Sequence, residues 1–144
     1  MIAVDTNLLV HAHREDSQWH PAASDLMREL AEGPAPWGIP WPCLHEFLAI
    51  VTHPRIYAPP TPVSSALAQV AAWLESPTLA VLSEGTGYWD TFASVLRAAK
   101  ATGPLVHDAR VAALCQHHRV KELWTADRDF SRFAGIKTRN PLVR

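Results

Sequence analysis

The stretch Ile2-Ala3-Val4-Asp5-Thr6-Asn7 decides how the rest of the chain is read. Three apolar residues, two of them β-branched, make a short strand of the kind buried on both faces in a parallel sheet, and the run stops on a carboxylate followed by two small polar residues. In an open α/β sheet, ligands bind beyond the carboxyl ends of such strands. An Asp at that place either satisfies a helix start as an N-cap or serves as a metal ligand. The second explanation requires further carboxylates at the same edge.

The 144 residues fit a single domain, residues 1–144, long enough to bury a core without disulfides or metals as staples. Hydrophobic residues make up 48% and charged residues 19%, as in an ordinary soluble globule. No apolar run approaches the ~20 residues of a membrane span, and no signal-peptide hydrophobic region is evident. Cytoplasmic residence, without a membrane partner, is therefore expected. Cys43 and Cys115 each sit in an apolar helical stretch without a CxxC partner, so they read as buried thiols rather than as a disulfide or a zinc site. A net charge of -1 excludes a polybasic DNA binder. Yet Arg119, Lys121, Arg128, Arg132, Lys137, Arg139 and Arg144 crowd the last part of the chain against Glu122, Asp127 and Asp129. They form either a basic face beside an acidic cleft or solvated charges on a final helix and tail.

Along the chain, strand and helix patterns alternate. Leu8 to Ala12 continues apolar, and Asp16 or Ser17 can cap a helix that carries Ala22, Ala23, Leu26, Met27 and Leu30 and ends near Gly33-Pro34. Trp37 to Trp41 is a second strand, closed by prolines; Pro42 then suits the first turn of a helix through Val51. The segment from His53 to Pro62 is a proline-set loop, whose Arg55 and Tyr57 either clasp a polynucleotide or, the favoured reading, anchor the loop. The next helix begins at Val63, with Leu67, Val70, Ala71 and Leu74 as its expected buried stripe. Thr78 to Leu82 is a third strand. Gly87 to Lys100 is a helix with Tyr88, Trp89, Phe92, Val95 and Leu96 as its core stripe. After Gly103-Pro104 a helix spans Leu105 to Cys115, Glu122 to Thr125 forms a fourth strand, Asp127 or Asp129 can cap a short helix, and a last strand is possible around Gly135 to Thr138.

This alternation predicts right-handed crossovers and a three-layer α/β/α sandwich with a mostly parallel sheet of four to five strands. In that sheet Asp5 and Asp127 lie just beyond strand ends, while Glu46 and Asp108 sit in the first turns of helices leaving neighbouring edges. Cys43 precedes Glu46 by three residues, and Ala49 and Ile50 follow it by three and four, so Glu46 is expected on an apolar face. Val111, Ala112 and Cys115 place Asp108 in the same situation. Four carboxylates meeting in one cleft raise one another's pKa values unless a hard divalent cation joins them. A site of carboxylates and water suits Mg²⁺ or Mn²⁺ rather than zinc. Such a site polarises a phosphodiester and activates water for in-line attack.

The opening Val4-Asp5-Thr6-Asn7, the helical Glu46, the segment Val106-His107-Asp108-Ala109-Arg110 and the closing Thr125-Ala126-Asp127-Arg128-Asp129-Phe130 together resemble the PIN domain, and within it the VapC-type ribonuclease toxins. The similarity covers essentially the whole chain. It implies a PIN-like fold and a Mg²⁺- or Mn²⁺-dependent endoribonuclease acting on RNA, leaving a 5′-phosphate and a 3′-hydroxyl. It also implies a homodimer and inhibition by a cognate VapB-type antitoxin. Carried over by position, Asp5, Glu46, Asp108 and Asp127 match the acidic catalytic and metal-binding residues. Thr6, Asn7 and Thr125 match polar neighbours that orient ligands or water, and Asp129 either completes the site or caps the following helix. Trp41, Trp73 and Trp89 are expected to be exposed near a groove for the antitoxin. A catalytically inert PIN-like module that binds RNA or a partner is the alternative, and it predicts a missing acid.

Overall fold

The computed structural model describes residues 1–143. Its strands are β1 (Ile2–Val4), β2 (Trp37–Pro40), β3 (Leu79–Leu82), β4 (Glu122–Trp124) and β5 (Thr138–Arg139). They form one sheet in the order β3-β2-β1-β4-β5, and every neighbouring pair is parallel. The helices are α1 (Thr6–His13), α2 (His20–Glu32), α3 (Trp41–Val51), α4 (Val63–Leu74), α5 (Tyr88–Ala99) and α6 (Leu105–His117). One group packs α1 against α2 and α3, and α3 against α4; a second group packs α5 against α6. Among the described residues no helix is long and apolar enough to cross a membrane.

The order of the strands positions the site. From β1 the chain first builds β2 and β3 on one side and only then returns to place β4 and β5 on the other. Where the direction of building reverses, the loops leaving the carboxyl ends of the two neighbouring strands diverge and leave a crevice. Here that crevice lies beyond the ends of β1 and β4, where Asp5 and the Thr125–Asp127 segment stand. The central strand is dry: Ala3 and Val4 have no exposed surface, as have Trp37 and Ile39 of β2 and Leu123 of β4. Although β2 lies inside the sheet, it stops at Pro40, which is the N-cap of α3, with Pro42 in the first turn. Proline there removes no helical hydrogen bond, because the first turn's N–H groups have no partner in the helix.

The apolar run after Asn7 belongs to helix α1, which starts directly on Thr6, leaving Asp5 as its N-cap without a capping side-chain bond. Several expectations need correction. The tail strand is displaced to Thr138–Arg139. In α4 the buried residues are Ala66, Val70 and Trp73, whereas of the expected stripe Ala71 is exposed and Leu67 and Leu74 are 52% and 44% exposed. Val63–Leu74 has no charged residue to mark an outer face, so periodicity does not select one. The largest side chain does: Trp73 packs edge-on against Phe47, ring centroids 4.9 Å apart, and takes the core position. In α5 it is Tyr88 that turns inward, stacking on Phe92 at 5.7 Å, while Trp89 is 70% exposed. Of the two residues expected to anchor the loop between α3 and α4, Tyr57 does so, its ring 4.1 Å beneath the Arg14 guanidinium, whereas Arg55 is exposed and among the described residues its side chain makes no hydrogen bond.

Two tryptophan truncations therefore separate in effect. Trp73→Ala should cost about 3–5 kcal/mol, whereas Trp89→Ala should stay within roughly 0.5 kcal/mol of wild type. Urea unfolding of the two variants checks this, and equal losses would contradict the assignment of the α4 and α5 faces.

Candidate active site

The site is built outward from Asp5, which is 5% exposed. Its backbone N–H donates to Trp124 O at 3.0 Å, joining the ends of β1 and β4. Carboxylate Oδ2 accepts from the Thr125 hydroxyl at 2.8 Å and from Asn7 Nδ2 at 3.2 Å. Oδ1 accepts from the Cys43 thiol at 3.4 Å. Burial pushes the Asp5 pKa up; hydrogen bonds from Thr125, the Thr6 backbone and Cys43 pull it down, and the charge of Glu46 adds to the rise. Burial also raises the Cys43 thiol well above its usual value, with the Asp5 charge second, which keeps it protonated and able to donate.

Thr125 is the hinge of this network. Its hydroxyl gives its only proton to Asp5 and accepts from Asn7 Nδ2 at 3.1 Å and from the Asp127 N–H at 3.0 Å, using its full bonding capacity. Asn7 Oδ1 in turn accepts from Ala126 N–H at 3.0 Å, so the loop after β4 is held from both sides. Asp127 then caps the short 3-10 helix Arg128–Arg132, its Oδ1 accepting from Asp129 N–H at 2.8 Å.

Glu46 and Asp108 arrive on helices. Glu46, one turn into α3, accepts from the Thr6 hydroxyl at 3.1 Å. The expectation of an apolar, buried face for Glu46 is wrong: Glu46 and Ala49 are exposed, and this side of α3 is a wall of the open cleft. An exposed wall spares the carboxylate the desolvation that interior placement would impose. Asp108 lies in the first turn of α6, partly buried, where the helix N-terminus favours an anion.

The cleft encloses about 770 Å³, and Asp5, Glu46, Asp108 and Asp127 all line it, with Thr6 and Asn7. Carboxylate oxygens of Asp108, Asp127 and Asp129 lie within 4.8 Å of one another. Asp129, expected either to finish the site or to cap a helix, thus joins the acidic group, while Asp127 performs the capping. Asp108 is pushed up to about 6, first by burial and then by the charges of Asp127, Asp5, Asp129 and Glu46. The other four acids of the cleft therefore all act on Asp108. This oxygen-only trio suits a hard divalent cation; of the four acids expected to share one, Asp108 and Asp127 belong to it, while Asp5 and Glu46 line the same cleft outside it. His45, His107 and Arg110 also line the cleft. Neither their place nor the Cys43 bond to Asp5 was read from the sequence. The one available signal for Cys43 was its spacing of three residues before Glu46 on α3.

A description of the PIN domain matches residues 2–136. Ribonuclease VapC48 of Mycobacterium tuberculosis is 33% identical over 137 residues, covering 95% of this chain and 94% of that protein. Ribonuclease VapC43 of the same organism is 34% identical over 142 residues, covering 99% and 96%. Among solved structures, Rickettsia felis VapBC2 bound to a promoter DNA fragment superposes with a TM-score of 0.70 at 14% identity, covering 96% of this chain and 98% of that one. The sarcin-ricin-loop-cleaving toxin VapC20 of Mycobacterium tuberculosis gives 0.65 at 18% identity, covering 94% and 98%. Those two structures carry the fold; the near-complete PIN-domain match and the relatives above 30% identity carry the lineage, and this chain belongs to the PIN-domain family in its VapC ribonuclease branch.

Proposed function

We propose that this protein is a divalent-metal-dependent endoribonuclease, the toxin of a VapBC-type toxin–antitoxin pair, which hydrolyses RNA phosphodiester bonds. The observation that carries the reading is the convergence of Asp5, Glu46, Asp108 and Asp127 on one cleft, with Asp129 beside them. Asp5, Glu46, Asp108 and Asp127 would hold the cation, Mg²⁺ or Mn²⁺. When bound, it supplies Lewis-acid polarisation of the phosphoryl group and lowers the pKa of the attacking water. The chain's own part is orientation. Thr125 and Asn7 hold Oδ2 of Asp5, Thr6 holds Glu46, and Asp127 is fixed through its own backbone N–H. An inert binding module would lack one of these acids, and each is in place at the cleft.

The partners in this reading are an RNA substrate, a second copy of the chain and a cognate VapB-type antitoxin. The VapC ribonuclease relatives and the fold likeness to VapBC2 support it. Trp73 cannot serve the antitoxin as an exposed contact, being 7% exposed, whereas Trp41 and Trp89 remain accessible at 38% and 70%.

Freed of antitoxin, the purified protein should cleave RNA in Mg²⁺ or Mn²⁺ and stop in excess chelator. Removing a group that orients a metal ligand typically costs about 10–100-fold, so Thr125→Val should fall in that range and Asp5→Asn or Asp108→Asn below it. Cleavage that survives the chelator at full rate would sink the reading.

A pH dependence follows from Asp108. Its folded, metal-free pKa near 6 exceeds the ordinary Asp value of about 3.9, so the folded state binds the extra proton between those values. Stability of the metal-free protein should therefore decline as pH rises from about 4 through 6. Metal affinity should rise over the same interval, because cation and proton compete. In chelator at about pH 7, Asp108→Asn should be the more stable protein, by on the order of 1 kcal/mol once screening by solvent is allowed for. Parallel stability profiles for variant and wild type would show that the acids do not share a field.

Co-expression with the product of an adjacent small gene should yield a stable complex that no longer cleaves RNA. A chain that remains free, with unreduced activity, would remove the antitoxin from the proposal.

A further inference from the structure

Among the described residues, the fixed charges lining the cleft are four carboxylates, Asp5, Glu46, Asp108 and Asp127, and a single guanidinium, that of Arg110. A bound cation would answer the carboxylates and the phosphate being cut. The phosphates on either side of it would still face a negative wall and be repelled by it.

Arg110 is placed on α6 two residues beyond Asp108, on the same rigid helix. Its Nε and Nη2 both donate to Glu84 Oε1, at 3.2 and 3.0 Å. Glu84 lies in the loop leaving the carboxyl end of β3, outside the cleft lining, and meets Arg110 from the same edge of the sheet as the acids. Both bonds converge on one oxygen, and among the described residues Nη1 donates to nothing. The pair is also open to solvent, with 40% of the Arg110 and 42% of the Glu84 side chain exposed. An ion pair so exposed adds little to stability. Its geometry is better explained as a guanidinium held ready, one edge taken by Glu84 and the other free for a second anionic acceptor offering two oxygens.

We propose that Arg110, steadied by Glu84, binds an RNA phosphate adjoining the scissile one, and that Glu84 restrains its affinity by competing for the same guanidinium. The inference rests on the ribonuclease reading and names a substrate-binding residue for it.

The test measures binding of a short fluorescent single-stranded RNA to the Asp5→Asn protein in Mg²⁺ at several salt concentrations. Arg110→Met should weaken binding roughly tenfold. It should also flatten the slope of log Kd against log salt by about 0.7, the value for one lost phosphate contact on a single strand. Arg110→Lys should restore the slope while leaving affinity below that of the arginine. In the otherwise unsubstituted enzyme, Arg110→Met should act mainly on KM, and Glu84→Gln should lower KM. A wild type that fails to cleave RNA defeats the ribonuclease reading itself. A wild type that cleaves, with a folded Arg110→Met of unchanged KM and salt slope, overturns this inference alone. If Arg110→Met does not fold, Glu84→Gln decides, and an unchanged or raised KM overturns the proposal.

Discussion

The hydrogen bond from the Thr125 hydroxyl to the Asp5 carboxylate, 2.8 Å long and buried, is the constraint on which the site depends. A carboxylate as enclosed as Asp5 loses the water that would stabilise its charge, and several kcal/mol must be returned by the protein. Cys43, Asn7 and Thr125 return it with three side-chain donors drawn from three elements. Because Thr125 also accepts from Asp127 N–H, the bond that satisfies Asp5 sets the position of Asp127. The ends of β1 and β4 are thereby tied together at the point where the sheet changes its direction of building.

The other acids are placed where charge costs less. Glu46 stands on an open wall and leans on the Thr6 hydroxyl. Asp108 occupies the first turn of α6, where the helix dipole offsets about 0.3–1 kcal/mol. Asp129 is exposed. Burial is thus graded outward from Asp5, and a single carboxylate bears near-complete desolvation. At Asp108 burial comes first and repulsion from the neighbouring acids second, and together they raise its pKa. In the function proposed above, a divalent cation would relieve that repulsion, and stability without metal would be traded for affinity toward it.

Surface and core were harder to separate in the helices than in the sheet. A strand of three or four apolar residues between two helical layers has both faces covered, so its burial follows from its composition. In α4 composition says little, since every side is apolar or small, and which side turns inward depends on whether Trp73 or Leu74 fits against Phe47. In α5 the same ambiguity lay between Tyr88 and its neighbour Trp89. Adjacent large aromatics point about 100° apart on a helix, and only the shape of the opposing layer chooses between them.

The sequence by itself determined the alternation of strands and helices, the parallel sheet, and the positions of the four acids relative to strand ends and helix starts. Those features depend on local spacing, which a linear chain records directly. The tertiary structure alone decided that Glu46 lies on an accessible wall and that Cys43 serves Asp5. It alone brought Asp129 into the acidic group and turned Arg110 toward the cleft beside Glu84. Each of these depends on a distance between side chains far apart in the chain, 38 residues for Cys43 and Asp5 and 26 for Arg110 and Glu84. Such distances are set by how layers pack, and no local pattern carries them.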